Sequence, residues 1–229
     1  EAITNSCVSQ YRPSRRERVD NRHEPCRFKE GQHGRLCPAC RLFGVTGLRG
    51  RVHFDDAVPQ GTAKPEIIKI AELWEPRLFS GRKFYEIKQG VPWDRRPRKN
   101  FRFVEAMPRG ATFQGTLRFE NLSKGELGLM CLAMGMSPDP QEQFTPKIGG
   151  AKPRCLGAVS FTAHSVRWWG TGGLQSLLSP QTITGERLDA FLADCRKACD
   201  AENLLHPASW KQFLQGMRPK SETCPREVY

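Results

Sequence analysis

Apolar and polar positions alternate with period two through the first part of the chain and shift to helical spacing later. Arg49 to Ala57 places Val52 and Phe54 on one side and Arg51 and His53 on the other, which predicts a strand. Residues 66–73 and 82–89 carry the same signal and predict two strands of an extended hairpin. Ala111 to Phe119 is the cleanest strand pattern, with Phe113, Leu117 and Phe119 facing inward. Glu126 to Met136 then reads as a helix. Ser123, three residues before Glu126, gives it a capping-box signature, and its Leu/Met stripe reads as core. Gly157 to Trp168 predicts a further strand, and residues 170–184 a Gly/Ser linker. Arg187 to Glu202 predicts an amphipathic helix carrying Leu188, Phe191, Leu192, Cys195 and Cys199 on one side. A shorter helix follows from Pro207 to Gly216, and the polar tail after Met217 reads as frayed. Residues 1–10 read as the end of a helix. The order predicts an α+β fold with a ferredoxin-like or RRM-like sheet whose first strand is missing.

Four soft ligands precede the first strand. His23-Glu-Pro-Cys26 is followed by ten residues and then by Cys37-Pro-Ala-Cys40. Two ligands in one tight turn can aim at one ion, and tetrahedral Zn²⁺ takes Cys and His at such spacings. His23, Cys26, Cys37 and Cys40 are therefore the expected ligands of a structural zinc finger at about 20–42. His33 within the loop and Cys7 upstream are alternative fourth ligands. Cys195 and Cys199, one helical turn apart, read as buried thiols rather than a second metal site.

Charge narrows the partner. Thirty-six Lys and Arg against 24 Asp and Glu leave a net charge of +12, which favours a polyanion. Arg12 to Arg22 reads as a solvated basic arm. Gly90 to Asn100 interleaves Trp93 with cations, a composition suited to single-stranded nucleic acid. Lys147 to Gly157 combines Gly149, Gly150 and Gly157 with Lys147, Lys152 and Arg154, so backbone N–H groups and cations can approach phosphate together. It lacks the pattern of a Walker loop. Arg49, Arg51, Arg82 and Lys83 complete the expected RNA-contacting set. Nine cysteines, an odd number with three in metal spacing, favour a reducing, cytoplasmic setting over a disulfide scaffold. No apolar stretch reaches membrane-spanning length. His53, Asp55 and Asp56 read as structural, because neighbouring strand positions point to opposite faces. The base-deaminase pattern fails in both halves, since Glu24 follows His23 directly and Leu36 precedes Cys37.

Several phrases taken together resemble the CRISPR-associated RAMP superfamily. They are L-F-G at Leu42 to Gly44, G-R-V-H-F-D-D-A at Gly50 to Ala57, and G-R-K-F-Y at Gly81 to Tyr85. F-Q-G-T-L-R-F-E-N-L at Phe113 to Leu122, K-I-G-G-A-K-P-R-C-L-G-A-V at Lys147 to Val159, and the opening E-A-I-T-N-S-C complete the likeness. The resemblance covers roughly residues 1–169 and leaves 170–229 as a linker and helical extension. Within the superfamily the C-P-A-C segment looks closest to zinc-finger domains of type III effectors, particularly the single-chain type III-E effector. That resemblance implies a module that holds a guide RNA (crRNA) along its backbone, presents it to complementary target RNA, and packs beside other RAMP domains. Base pairing would read the sequence while the protein reads phosphate and shape. It also implies a thumb-like hairpin within about 58–101 that wedges into the guide–target duplex. The terminal helices are left to dock an accessory protein or another part of the effector. Related subunits cut RNA with an Asp on a loop near the domain's start. That loop has no counterpart here, so no catalytic residue is carried over, although the resemblance implies part of an endoribonuclease. The competing reading is a generic zinc-ribbon RNA-binding protein of ribosomal or transcriptional type.

Overall fold

The computed structural model describes residues 26, 36–72, 85, 99–169 and 178–219. The fold is α+β. Among the described residues it contains four helices and five antiparallel two-stranded pairs. Helix α1 (Pro38–Phe43) begins with Pro38 in its first turn, where a missing N–H is no loss. Gly44 ends it at φ 83°, where a side chain would meet Leu48 O and Gly50 N at 2.6 Å. The chain therefore doubles back at once as β1 (Gly44–Val45) and β2 (Leu48–Arg49).

The next strands build one long arm. β3 (Val52–Phe54) pairs with β8 (Leu117–Phe119), β4 (Val58–Gln60) with β7 (Thr112–Gln114), and β5 (Glu66–Ala71) with β6 (Phe101–Ala106). The register never slips between Val58↔Gln114 and Ala71↔Phe101, so β4–β7 and β5–β6 are segments of one ribbon. Asp55 N still donates to Thr116 O at 3.0 Å, whereas Ala57 already faces Gly115. Asp56 is thus one extra residue, a bulge that bends the arm where it leaves the body. Gly61 (φ 77°) and Gly110 (φ 86°) mark a second interruption further out.

This arm corrects parts of the strand reading. The strand expected over Ala111 to Phe119 is broken at Gly115 and Thr116. Phe113, expected inward, is 48% exposed, and Phe54, on the strand face of Val52, is 57% exposed. A two-stranded arm has no second layer to receive them. β5 pairs with Phe101–Ala106, a strand the pattern did not single out. Its expected partner, 82–89, lies outside the described residues except for Tyr85, as does most of Gly90 to Asn100.

The core lies at the other end. Leu42 of α1 and Val52 of β3 meet Leu129, Met130 and Leu132 of α2 (Lys124–Ala133). Cys199 of α3 (Gly185–Ala201), Leu204, Leu205 and Trp210 of α4 (Pro207–Met217) close the cluster. Each buried Leu contributes about 1.5–3 kcal/mol. The C-terminal helices, expected as an extension, thus share one core with the first half of the chain. Helix α2 carries the expected capping box, Ser123 Oγ accepting from Glu126 N at 3.0 Å and Glu126 Oε2 from Ser123 N at 3.1 Å. Glu202, just beyond α3, also reaches this end, accepting from Ser123 Oγ at 2.6 Å and Gly125 N at 3.0 Å. The two helices touch backbone to backbone: a Cβ on Gly128 would lie 2.2 Å from Cys195 O.

Between α2 and α3, Glu142 gathers four donors. Its Oε1 accepts from Arg196 Nη2 at 2.7 Å and Trp210 Nε1 at 3.1 Å. Its Oε2 accepts from Arg196 Nε and Ser137 Oγ, both at 2.8 Å. Regular structure in the strand expected over Gly157 to Trp168 is limited to β9 (Val166–Trp168), after a single bridge at Ala158. β9 pairs with β10 (Gln181–Ile183), so the expected linker contributes a strand. No helix among the described residues is long and apolar enough to cross a membrane.

Candidate metal centre and basic glycine loop

Cys26, Cys37 and Cys40 bring their sulfurs within 4.8 Å of one another. Tetrahedral thiolates at ~2.3 Å from one ion stand about 3.8 Å apart, so a small contraction would seat a cation. Local structure explains the convergence. Cys37 is the N-cap of α1, and Pro38 starts the turn that swings Cys40 beside it. Cys37 N donates to Cys26 Sγ at 3.4 Å and Cys40 N to Cys37 Sγ at 3.5 Å. Three sulfurs this close, two of them accepting amide N–H groups, form a soft donor set of the kind that Cys-ligated metals take. These residues therefore fit a thiophilic metal ion. Cys40 is buried against the core side of α1, so a bound ion would brace the root of the arm. The expected ligand His23, and the alternatives His33 and Cys7, lie outside the described residues.

The glycine loop is closed by its own backbone. Ile148 N donates to Gly157 O at 2.8 Å, Val159 N donates to Pro146 O at 3.0 Å, and Lys147 bridges to Ala158. Gly157 sits at φ 80°, where any Cβ would lie 2.0 Å from Ile148 O, so closure requires glycine. Gly149 and Gly150 face open space, and Gly149 takes φ 75°. Ala151 and Cys155, at φ 54° and 64°, bracket a short 3₁₀ turn at Lys152–Arg154. Left-handed non-glycine residues are a strained choice that surrounding structure must hold. Cys155 is disulfide-bonded, a departure from the all-thiol expectation.

The structure divides the expected RNA-contacting cations. Arg154 is only 3% exposed, and its Nη2 donates to Glu72 O at 2.9 Å, tying the loop to the arm. Burial lowers its pKa. Arg51 donates to Arg41 O at 2.9 Å, Asn121 O at 2.7 Å and Glu126 Oε1 at 2.5 Å. Arg51 thus braces the arm root through three acceptors, and Arg154 braces the loop from a buried position that keeps its guanidinium from the surface. Lys147 Nζ donates to the backbone carbonyl of Lys152 at 3.3 Å, and both lysines are half-buried. Arg49 stays exposed, beside Glu120 Oε1 at 3.3 Å and His53 Nε2 at 3.2 Å. Asp55 instead pairs with Arg118, whose pKa it raises, so His53 and Asp55 form no acid–base pair. Arg82 and Lys83 lie outside the described residues.

Sequence reasoning missed an exposed aromatic–cation face on β5–β6. Phe103 and Ile67 are 64% and 77% exposed, and Lys69 Nζ stands 3.7 Å from the Phe101 ring centroid. The F-R-F alternation at 101–103 was the available signal. Burial pushes the thiols of Cys131, Cys195 and Cys199 up, to about 12, 11 and 11; Cys195 and Cys199 are fully buried, as expected, and Cys131 is half-buried. A scan against protein-family models matches no family, and no curated protein matches the chain.

Proposed function

We propose that this chain is a guide-RNA-binding backbone module of an RNA-guided, RNA-targeting CRISPR effector in antiviral defence. On this reading it is a ferredoxin-like RAMP domain whose structural Zn²⁺ is held by Cys26, Cys37, Cys40 and His23. The observation that carries the reading is the loop from Lys147 to Gly157. Main-chain bonds close it, Gly149 and Gly150 leave its backbone uncovered, and it carries Lys147 and Lys152 on a chain of net charge +12. Such a loop suits a sugar-phosphate chain without reading bases. The bent β3–β8 arm supports the thumb-like element that the resemblance implies, and its Phe101, Phe103 and Lys69 face suits a nucleic-acid partner. The zinc would be structural, fixing the turn from which the arm starts. On the same reading, cutting of target RNA belongs to groups outside these residues, and the chain works beside other RAMP domains.

Sequencing RNA that co-purifies with the chain tests the proposal. Repeat-derived guide RNA supports it. RNA without repeat sequence favours the zinc-ribbon alternative, which shares the charge and cysteine cluster. Native mass spectrometry should find one zinc ion per chain, lost on Cys37→Ser, and a metal-free wild-type chain would refute the metal centre.

A further inference from the structure

We propose that Arg167 and Trp169 form a stacking platform for one unpaired nucleobase on the outer side of the β9–β10 ribbon. The inference rests on the RNA-binding reading above and adds a contact remote in sequence from the glycine loop. Successive strand residues face opposite ways. Trp168 turns inward, its ring stacked on Phe191 of α3 with centroids 5.5 Å apart and planes 12° apart. The ammonium of Lys124 stands 5.9 Å from that same Phe191 ring. This inner stack fixes the ribbon against the body, so the residues flanking Trp168 face outward. Trp169 is 54% exposed, and the Arg167 guanidinium lies 5.6 Å from its ring centroid. Exposed Thr182 stands in register with Arg167 across the ribbon.

The occupant follows from the pair. A large exposed indole invites a flat partner, and a nucleobase of any sequence offers one. A guanidinium over one face of the ring can serve the adjoining phosphate with its donors while the other face takes the base. An apolar peptide would cover the indole but strip water from Arg167 without replacing it. On a chain of net charge +12, single-stranded RNA satisfies both groups at once.

Fluorescence anisotropy with 5′-labelled oligo(U) and oligo(A), and heparin as a base-free polyanion, tests the platform on the full chain. Trp169→Ala should weaken both RNAs about five- to hundredfold and leave heparin affinity unchanged. Trp169→Phe should recover part of the loss. Arg167→Gln should weaken RNA and heparin alike and lower the salt slope by about one. All three variants should keep the wild-type unfolding midpoint, since these side chains lie outside the core. Wild-type RNA affinity in Trp169→Ala, or an equal loss on heparin, overturns the platform and leaves the backbone-module reading standing. A wild-type chain that binds neither RNA overturns both.

Discussion

Replacing Glu142 by Gln removes one charge from the junction of the three large helices. Glu142 and Arg196 are 17% and 18% exposed, and four hydrogen bonds converge on the carboxylate. The Arg196 guanidinium, chiefly, holds the Glu142 carboxyl down from its ordinary 4.5 to about 2. A drop of that size corresponds to about 3 kcal/mol. Partial solvent access discounts it to about 2 kcal/mol. Gln keeps the shape but turns one acceptor into a donor facing Arg196, so the loss should reach about 2–4 kcal/mol. The sign with pH is fixed. The folded pKa lies below the unfolded one, so the stabilisation is complete above about pH 4.5 and fades as pH falls toward 2. Urea unfolding of wild type and Glu142→Gln, followed by tryptophan fluorescence, should show a wide gap at pH 7 that narrows below pH 4.5. Trp210→Phe removes one of the four bonds and also leaves space in the core, so it should lose about 1–3 kcal/mol at every pH. A gap below about 0.5 kcal/mol at pH 7, or one that ignores pH, would refute the reasoning.

Other outcomes follow from single contacts. Gly128→Ala puts a methyl 2.2 Å from Cys195 O and should cost about 1–3 kcal/mol, seen as a lower Tm. Gly216→Ala in α4 meets open space and should not lower it; equal Tm values for both would contradict the helix contact. Lys152→Glu should weaken RNA binding at unchanged stability, whereas Arg154→Met should lower stability by about 1–3 kcal/mol and keep the salt slope. The reverse pattern would restore Arg154 as a phosphate ligand. Iodoacetamide at pH 8 should leave Cys195 and Cys199 unlabelled in the folded chain and label both after unfolding, as read by peptide mass spectrometry. Rapid labelling of the folded chain would count against their burial.

The helices were legible because a helix announces itself locally. Ser123 and Glu126 cap α2 from three residues apart, and the Leu188, Cys195, Cys199 stripe needs only its own periodicity. The C-P-A-C turn was legible for the same reason. The arm was not, because its pairings join residues up to 67 positions apart, Val52 to Phe119, and a one-residue bulge shifts the alternation midway. Arg154 and Arg51 look like any surface cations in sequence. Only the fold reveals the carbonyls at Glu72, Arg41 and Asn121 that claim them. Glu142 was hidden among prolines, since its partners Arg196 and Trp210 lie 54 and 68 residues away.

Glu202 also tells an incoming polyanion where it is unwelcome. The amino end of α2, with its bare N–H groups and positive dipole, would ordinarily be a natural seat for phosphate. Here the protein has installed its own carboxylate across Ser123 and Gly125. Any phosphate approaching there would have to evict a tethered competitor of like charge.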